Sequence, residues 1–219
     1  GTVLGLLVLV GCPYQQRIEA EFRSPPTAAS LDLPVAAVLL FDTSLSMTYQ
    51  QEGQTRLDVA RGIAEEHLSE LPNGSRVAIV DTASDIPVVF AQTFSAAQSR
   101  LKGLTAGALN LSLSDRLRTC LLAQEEDRRR TLAEQGNVAE EVRKDRFLRR
   151  VYVFTDLTKT PWRQGGSTLL QKEIERLQTV NVFIVDVGEP SPQNRGVTQI
   201  KLSRQQAPVG GQLEVSALV

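Results

Sequence analysis

The sequence predicts an α/β fold: a Rossmann-like, doubly wound and mostly parallel sheet with helices on both faces. Apolar runs of strand length alternate along the chain with segments of helical period, the pattern of right-handed βαβ units. The first run, VAAVLLF at Val35–Phe41, is apolar throughout, as expected of a strand buried on both faces of a parallel sheet. In sheets of this kind, ligands bind beyond the carboxyl ends of the strands.

The elements follow one another in an order that supports this fold. After the first strand, Thr55 and Asp58 predict a capping box at the start of a helix over 55–71, and Pro72-Asn73-Gly74 ends it. The further predicted elements are strands at 76–80 and 88–90, helices at 95–104, 113–134 and 137–148, a strand at 151–155, a helix at 168–178 and a strand at 180–187.

Composition excludes several classes of function. The 219 residues carry 24 Lys and Arg against 25 Asp and Glu, so the chain has no excess of positive charge for nucleic acid. One histidine, His67, and two cysteines, Cys12 and Cys120, are too few for a His-rich zinc site or a disulfide framework. No glycine-rich phosphate-binding motif is present. His67 and Cys120 are therefore interpreted as packing residues, and no catalytic residue is expected.

Four segments are expected along the chain. Residues 1–16 include an apolar stretch of roughly 15–20 Å, short of a ~30 Å hydrocarbon core, and are interpreted as the end of a membrane helix or a signal segment. A lipoprotein signal ending at Cys12 and a buried strand are the alternatives. Residues 17–34 form a proline-rich linker and 35–188 the α/β domain. Residues 189–219 form a second linker and an antiparallel β ribbon that opens a following β-sandwich.

Oxygen-bearing side chains follow the first strand and a later one. Asp42, Ser44 and Ser46 alternate along the loop that leaves the first strand, which places one carboxylate and two hydroxyls on one side. Asp156 ends the VYVFTD segment. Hard cations such as Mg²⁺ prefer oxygen ligands of this kind. If the two strands are neighbours, both loops meet at one edge of the sheet, and the sequence predicts a metal site there.

With these residues in place, the chain resembles the von Willebrand factor type A family. The D-x-S-x-S motif of that family matches Asp42, Ser44 and Ser46, and its later T-D matches Thr155-Asp156. The resemblance implies a metal-ion-dependent adhesion site, in which Mg²⁺ bridges the protein to a carboxylate donated by a protein partner. It implies binding rather than catalysis.

The order of segments is similar to one branch of this family, the membrane-anchored proteins of bacterial aerotolerance operons. That narrower resemblance implies tethering to the membrane through the N-terminus and a domain on the extracytoplasmic, periplasmic side. It also implies a place in an envelope complex, beside an AAA-type ATPase.

The chain departs from the family pattern in the loop before the long helix. By register, the position of the family's threonine ligand falls on Leu111, which has no oxygen to offer. Asn110 and Ser112 are the possible substitutes. Asp81, which ends the second predicted strand of the domain, is a further carboxylate expected near the site. The predicted metal site is therefore incomplete.

Two other functions compete with cation-assisted binding. Residues 125–150 hold seven acidic and eight basic side chains, which predict solvated helices that could dock a partner on a metal-free structural scaffold. The FDTS segment also resembles the nucleophile loop of haloacid-dehalogenase phosphatases. Ser44 stands where that loop needs a second acid, however, and a serine cannot act as a general acid or base at neutral pH.

Overall fold

The computed structural model describes residues 33–91, 93–136, 142–162, 167–177, 179–189, 199–202 and 214–218. The chain divides into two compact units, Gly1–Gly188 and Glu189–Val219. No helix within these described ranges is long and apolar enough to cross a membrane. The predicted membrane or signal segment, residues 1–16, and nearly all of the linker lie outside the described residues.

A four-stranded parallel sheet forms the centre of the first unit, as predicted. The strands in chain order are β1 (Val35–Phe41), β2 (Gln50–Gln51), β3 (Gln54–Thr55), β4 (Arg76–Asp81), β5 (Leu148–Thr155) and β6 (Val180–Asp186). The sheet has the order β4-β1-β5-β6, while β2 and β3 form a separate two-stranded hairpin. Phe41 lies opposite Asp81 on one side and opposite Phe154 on the other. The carboxyl ends of three strands are therefore level with one another.

Helices cover both faces of this sheet, which confirms the doubly wound layout. They are α1 (Arg56–Glu70), α2 (Phe94–Lys102), α3 (Leu113–Ala133) and α4 (Ser167–Arg176). Alternate residues of β1 point to opposite faces: Phe41 packs in the cluster that includes α1 and α2, whereas Leu40 packs in the cluster that includes α3 and α4. Cys120 of α3 is buried in the second cluster, and burial raises the pKa of its thiol to about 12.

The capping box predicted before the first helix is present. The Thr55 side chain accepts from the Asp58 amide at 3.0 Å, and the Asp58 carboxylate accepts from the Thr55 amide at 3.1 Å. These two bonds satisfy free backbone donors at the start of α1 and fix where the helix begins.

The prediction of a short strand at 88–90 is wrong. That segment is irregular, although the amide of Ala91 donates to the Val77 carbonyl at 2.7 Å. Pro87 directly precedes it and has no amide hydrogen for a ladder, so the chain runs beside β4 without pairing regularly.

The second charged helix, predicted at 137–148, is also wrong over its described part. Residues 143–147 are not helical, and Leu148 already belongs to β5; residues 137–141 lie outside the described residues. The charges at 149 and 150 suggested a solvated helix, whereas both residues belong to β5. Arg149 enters the buried sheet because acidic side chains neutralise it.

We define the Asp127 cluster as Arg76, Asp127, Thr131, Asp145 and Arg149. Arg149 binds Asp127 and Asp145, each at 2.6 Å, and its side chain is only 1% exposed. Arg76 binds the same Asp127 carboxylate at 2.7 Å. Two acids thus pair with two guanidinium groups around the buried Arg149–Asp127 contact, and this cluster joins β4, α3 and β5.

The second unit contains an antiparallel pair, β7 (Gln199–Leu202) and β8 (Val215–Leu218). This pairing confirms the ribbon predicted at the C-terminal side of the chain.

His67 lies on α1 with its ring edge against Tyr152, at 4.4 Å between ring centroids, which agrees with a packing role. Burial, together with the nearby charge of Arg150, lowers the pKa of His67 from 6.5 to about 4. The unfolded chain therefore takes up this proton more readily than the folded chain between these values. The stability that neutral His67 contributes is present above about pH 6.5 and is lost as the pH falls toward 4.

We expect His67→Phe to weaken the acid sensitivity of the fold. Between pH 7 and pH 4 the free energy of unfolding of the variant should fall by about 2–3 kcal/mol less than that of the wild type, since phenylalanine has no group that takes up a proton on unfolding. Urea titrations of both proteins at a series of pH values measure the difference. Parallel pH profiles for the two proteins would contradict a buried, neutral His67.

Candidate metal site

Neighbouring parallel strands bring Asp42 and Asp156 to the same edge of the sheet. Asp42 follows β1 and Asp156 follows β5, and the amide of Asp42 donates to the carbonyl of Phe154 at 2.9 Å. Asp42 is fully buried, and the Asp156 side chain is 0% exposed. This placement confirms the expectation that the two acids lie on adjacent strand ends.

The Asp42 carboxylate is held by hydrogen bonds from its own loop and from β5. It accepts from the Ser44 amide at 2.9 Å and from the Thr155 hydroxyl at 3.1 Å. Burial raises the pKa of Asp42, the charge of Asp156 adds to the rise, and the hydrogen bonds oppose it. No ion pair within the described part of the chain includes Asp42. Its charge therefore lacks a cationic partner there.

Hydroxyl groups connect the two loops. The Ser44 and Ser46 hydroxyl oxygens lie 3.0 Å apart, and the Ser46 oxygen lies 3.3 Å from that of Thr158. The Thr158 hydroxyl donates to Asp156 at 2.9 Å. The sequence did not single out Thr158, although its position two residues after Asp156 repeats the Asp42-x-Ser44 spacing. Three hydroxyls and two carboxylates therefore lie in one connected group.

The backbone around Asp156 is shaped to hold this group. Leu157 has a left-handed φ of 56°, a conformation that costs a residue with a Cβ roughly 1–2 kcal/mol. Gly188 packs against the same loop, and a Cβ added at that position would lie 2.9 Å from the Asp156 carbonyl oxygen. A larger residue at 188 would thus displace the Asp156 loop.

Arg56 enters the group from the first turn of α1. Its guanidinium donates to the Asp156 carboxylate at 2.6 Å and to the Ser46 carbonyl at 3.2 Å. It also lies over the ring of Tyr49, 4.5 Å from the centroid. The sequence did not predict this contact, because Arg56 lies 100 residues from Asp156 and nothing in the local sequence pairs them.

Asp186 is a third carboxylate that the sequence did not single out. It ends β6 opposite Thr155, and its carboxylate accepts from the Gly188 amide at 2.8 Å. Burial raises the pKa of Asp186, the charge of Asp156 adds to the rise, and Arg56 opposes it. The available signal was its place at the end of an apolar strand, the same signal that identified Asp42.

The loop before α3 gives no threonine ligand. Leu111 is exposed, and its amide donates to the Thr82 carbonyl at 2.8 Å. The Asn110 side-chain oxygen already accepts from the hydroxyls of Thr43 and Thr82, at 3.0 and 2.9 Å. The Ser112 hydroxyl is buried and has no hydrogen-bond partner among the described residues. Of the two possible substitutes, Ser112 is therefore the one whose oxygen makes no hydrogen bond within the described part of the chain.

Asp81 makes its contacts away from the two loops. Its carboxylate accepts from the Ser84 amide at 3.0 Å and binds Arg100 of α2 at 2.9 Å. Although β4 pairs with β1, this acid is therefore engaged in a local turn and an ion pair.

The oxygen atoms of these side chains are of the kind that hard cations prefer. Asp42 offers a charged oxygen, and Ser44 and Ser46 offer neutral ones, which matches the ligand preference of Mg²⁺. The described residues contain no group of three or more His, Cys, Asp or Glu side chains placed to hold a metal ion. A cation here would thus depend on hydroxyl oxygens and on ligands from outside the chain.

Comparison with known proteins gives a matching family model, and the similar solved structures include two from Bacteroides species. The model of the von Willebrand factor type A domain matches residues 37–159. BatB from Bacteroides thetaiotaomicron, described as a conserved hypothetical protein, is 17% identical with a TM-score of 0.49, over 84% of this chain and 81% of that chain. An aerotolerance-related membrane protein from Bacteroides fragilis NCTC 9343, with multiple mutations to serines, is 18% identical with a TM-score of 0.45, over 84% of this chain and 82% of that chain. No curated protein matches the chain.

Proposed function

The chain belongs to the von Willebrand factor type A family, and from that premise we propose that it is a protein-binding module with a cation-assisted site. Asp42, Ser44 and Ser46 hold the cation, and a protein partner donates a carboxylate to it. The domain acts by binding and not by catalysis.

One observation carries this proposal: Asp42 is a fully buried carboxylate, without a cationic partner in the described residues, beside two converging hydroxyls. Burying an unpaired charge costs several kcal/mol, and such groups are normally paired or bound to a metal. A divalent cation would remove that cost.

Each residue has a distinct part in the proposed site. Asp42 supplies the charged oxygen, fixed in direction by the Ser44 amide and the Thr155 hydroxyl. Ser44 and Ser46 supply neutral oxygens from the same loop. Asp156 is linked to them through Thr158 and adds negative charge. Bound Mg²⁺ would keep several waters and exchange one for a carboxylate oxygen of the partner.

Apolar side chains flank these ligands and favour a protein as the partner. Leu45, between the two serines, is 58% exposed, and Leu157, directly after Asp156, is 42% exposed. Exposed leucines beside a charged site match an acidic residue with apolar neighbours on the partner surface. A free carboxylate would leave these leucines in water.

The setting is proposed on the order of segments along the sequence. The apolar stretch in residues 1–16 tethers the chain to the membrane, and the domain lies on the extracytoplasmic side. There it belongs to an envelope complex of the aerotolerance type, with an AAA-type ATPase as a partner. Protection of the domain from added protease in spheroplasts would contradict an extracytoplasmic location.

We expect Leu111→Thr to strengthen Mg²⁺ binding by about tenfold, since a hydroxyl at the family's ligand position adds one oxygen where the wild type has none. Titration calorimetry of the wild type and the variant measures the change. Leu109→Thr, a nearby exposed leucine of the same loop, is the matched control and should leave the affinity unchanged. Equal affinity of Leu111→Thr and wild type would show that this position does not face the cation.

The function itself is tested by capture of envelope proteins on the immobilised chain, with Mg²⁺ or with EDTA. A partner that is retained only with Mg²⁺, and is lost from Asp42→Ala, supports the proposal. A partner that is retained equally with EDTA, and is lost when the charges on the exposed face of α3 are reversed, would contradict the proposal and favour a metal-free scaffold instead.

A further inference from the structure

We propose that Arg56 is an internal counter-ion that competes with the cation for Asp156 and so sets the cation affinity of the site. This inference rests on the proposed function and names how that same site is controlled. It concerns a residue from α1, outside the two loops that carry the oxygen ligands.

The Arg56–Asp156 pair is buried. Its nitrogen and oxygen lie 2.6 Å apart, with side-chain exposures of 10% for Arg56 and 0% for Asp156. In a buried pair, removal of one partner leaves an uncompensated charge in a region from which water is excluded. Asp156 therefore needs a positive charge next to it, and Arg56 supplies that charge in this structure.

Arg56 is also attached to the ligand loop that would hold the cation. The same terminal nitrogen that binds Asp156 also donates to the Ser46 carbonyl of the ligand loop, and the guanidinium lies over the Tyr49 ring. The Asp156 oxygen that it contacts cannot approach a cation closely while the guanidinium holds it. Recruitment of this oxygen by a cation thus requires the guanidinium to move or to share the carboxylate, whose other oxygen accepts from the Thr158 hydroxyl.

The guanidinium is not fully satisfied where it lies. Its Nε is buried and has no hydrogen-bond partner among the described residues. A buried donor without a partner is destabilising, so the guanidinium is weakly held on its Nε side.

The balance of charges explains the direction of the effect. The negative charge of Asp156 acts on both Asp42 and Asp186, while Arg56 pairs with Asp156 and also acts on Asp186. Removal of Arg56 takes its positive charge away from Asp156 and Asp186, so a divalent cation is attracted more strongly and meets no competitor at Asp156. A residue with a merely structural role would lower stability without changing cation affinity.

The test compares Arg56→Met with Arg61→Met in the full chain. Arg61 lies on the same helix and binds Asp58 and the Leu104 carbonyl, away from the site. Mn²⁺, which prefers oxygen ligands as Mg²⁺ does, serves as the probe. Electron paramagnetic resonance measures the concentration of free Mn²⁺ at each step of the titration. We expect Arg56→Met to bind Mn²⁺ at least about tenfold more tightly than the wild type, and Arg61→Met to bind like the wild type.

Thermal unfolding in EDTA and in Mn²⁺ gives a second readout. Arg56→Met should unfold at a lower temperature than the wild type in EDTA and regain most of that loss in Mn²⁺, because a ligand that binds only the folded chain stabilises it. If Arg56→Met does not fold in EDTA, folding on addition of Mn²⁺ supports the inference, and failure to fold overturns it. Arg56→Lys, which keeps the charge, should stay near the wild-type affinity.

The outcomes distinguish failure of the proposed role of Arg56 from failure of the proposed function. If the wild type binds Mn²⁺ through Asp42 and Arg56→Met binds no more tightly, the role of Arg56 is wrong and the cation site stands. If neither protein binds Mn²⁺, or if Asp42→Ala leaves binding unchanged, the proposed function fails and the inference with it.

Discussion

Replacing Asp127 with alanine is expected to lower the free energy of unfolding by about 3–5 kcal/mol, the typical cost of removing one partner from a buried ion pair. The carboxylate binds Arg149 at 2.6 Å and Arg76 at 2.7 Å. Without it, Arg149 stays buried with Asp145 as its ion-pair partner among the described residues, and both guanidinium groups lose a shared charge. The loss is large because the Arg149 side chain is only 1% exposed and would stay buried beside the missing carboxylate.

Equilibrium unfolding in urea, followed by circular dichroism, measures this change. Glu126→Ala is the matched control, since Glu126 is the adjacent residue of α3 and forms an exposed pair with Arg130 at 3.2 Å. That substitution should change the free energy of unfolding by less than about 0.5 kcal/mol. An equally small change for Asp127→Ala would contradict a buried, charge-paired cluster.

Asp42→Asn is expected to weaken cation binding by at least about a hundredfold. Loss of a group that only supports a metal ligand weakens binding by about 10–100-fold, and Asp42 is proposed to be a ligand itself. Asparagine keeps the size of the side chain and can still accept from the Ser44 amide, but it carries no charge. The Ser44 and Ser46 hydroxyls alone do not compensate the dehydration of a divalent cation. Partner binding that depends on the cation should be lost with it.

Titration with Mn²⁺ under the conditions used for the Arg56 variants gives the affinities. Asp81→Asn is the control, because this acid also ends a strand of the sheet but is paired with Arg100. Its affinity should stay within about threefold of the wild type. A greater loss for Asp81→Asn than for Asp42→Asn would place the cation beside β4 instead of between β1 and β5.

The parts of the fold that the sequence predicted are those with local physical causes. An unbroken apolar run identified β1, and the capping box at Thr55 and Asp58 identified the start of α1. The start of β5 was missed because two of its first three residues, Arg149 and Arg150, are charged. Only contacts with residues far along the chain, such as Arg149 with Asp127, show why a charged side chain can be buried there.

The candidate site divides in the same way. Asp42, Ser44, Ser46 and Asp156 follow from the rule that ligands gather at the carboxyl ends of parallel strands, and the structure brings these four residues together. Arg56 could not be predicted, since its pairing with Asp156 depends on how α1 packs on the sheet. Asp81 illustrates the converse: a strand end predicted its place, while Arg100 of α2 determined its partner.

The most direct test of the cation site is the position of Mn²⁺, measured by paramagnetic broadening of backbone amide resonances in the ¹⁵N-labelled chain. We predict that, at low Mn²⁺ concentration, the amides of 42–48 and 155–158 broaden first, and that Asp42→Asn abolishes this pattern. Broadening that begins instead at the acidic residues of α3, or that persists unchanged in Asp42→Asn, would contradict a cation site between the β1 and β5 loops.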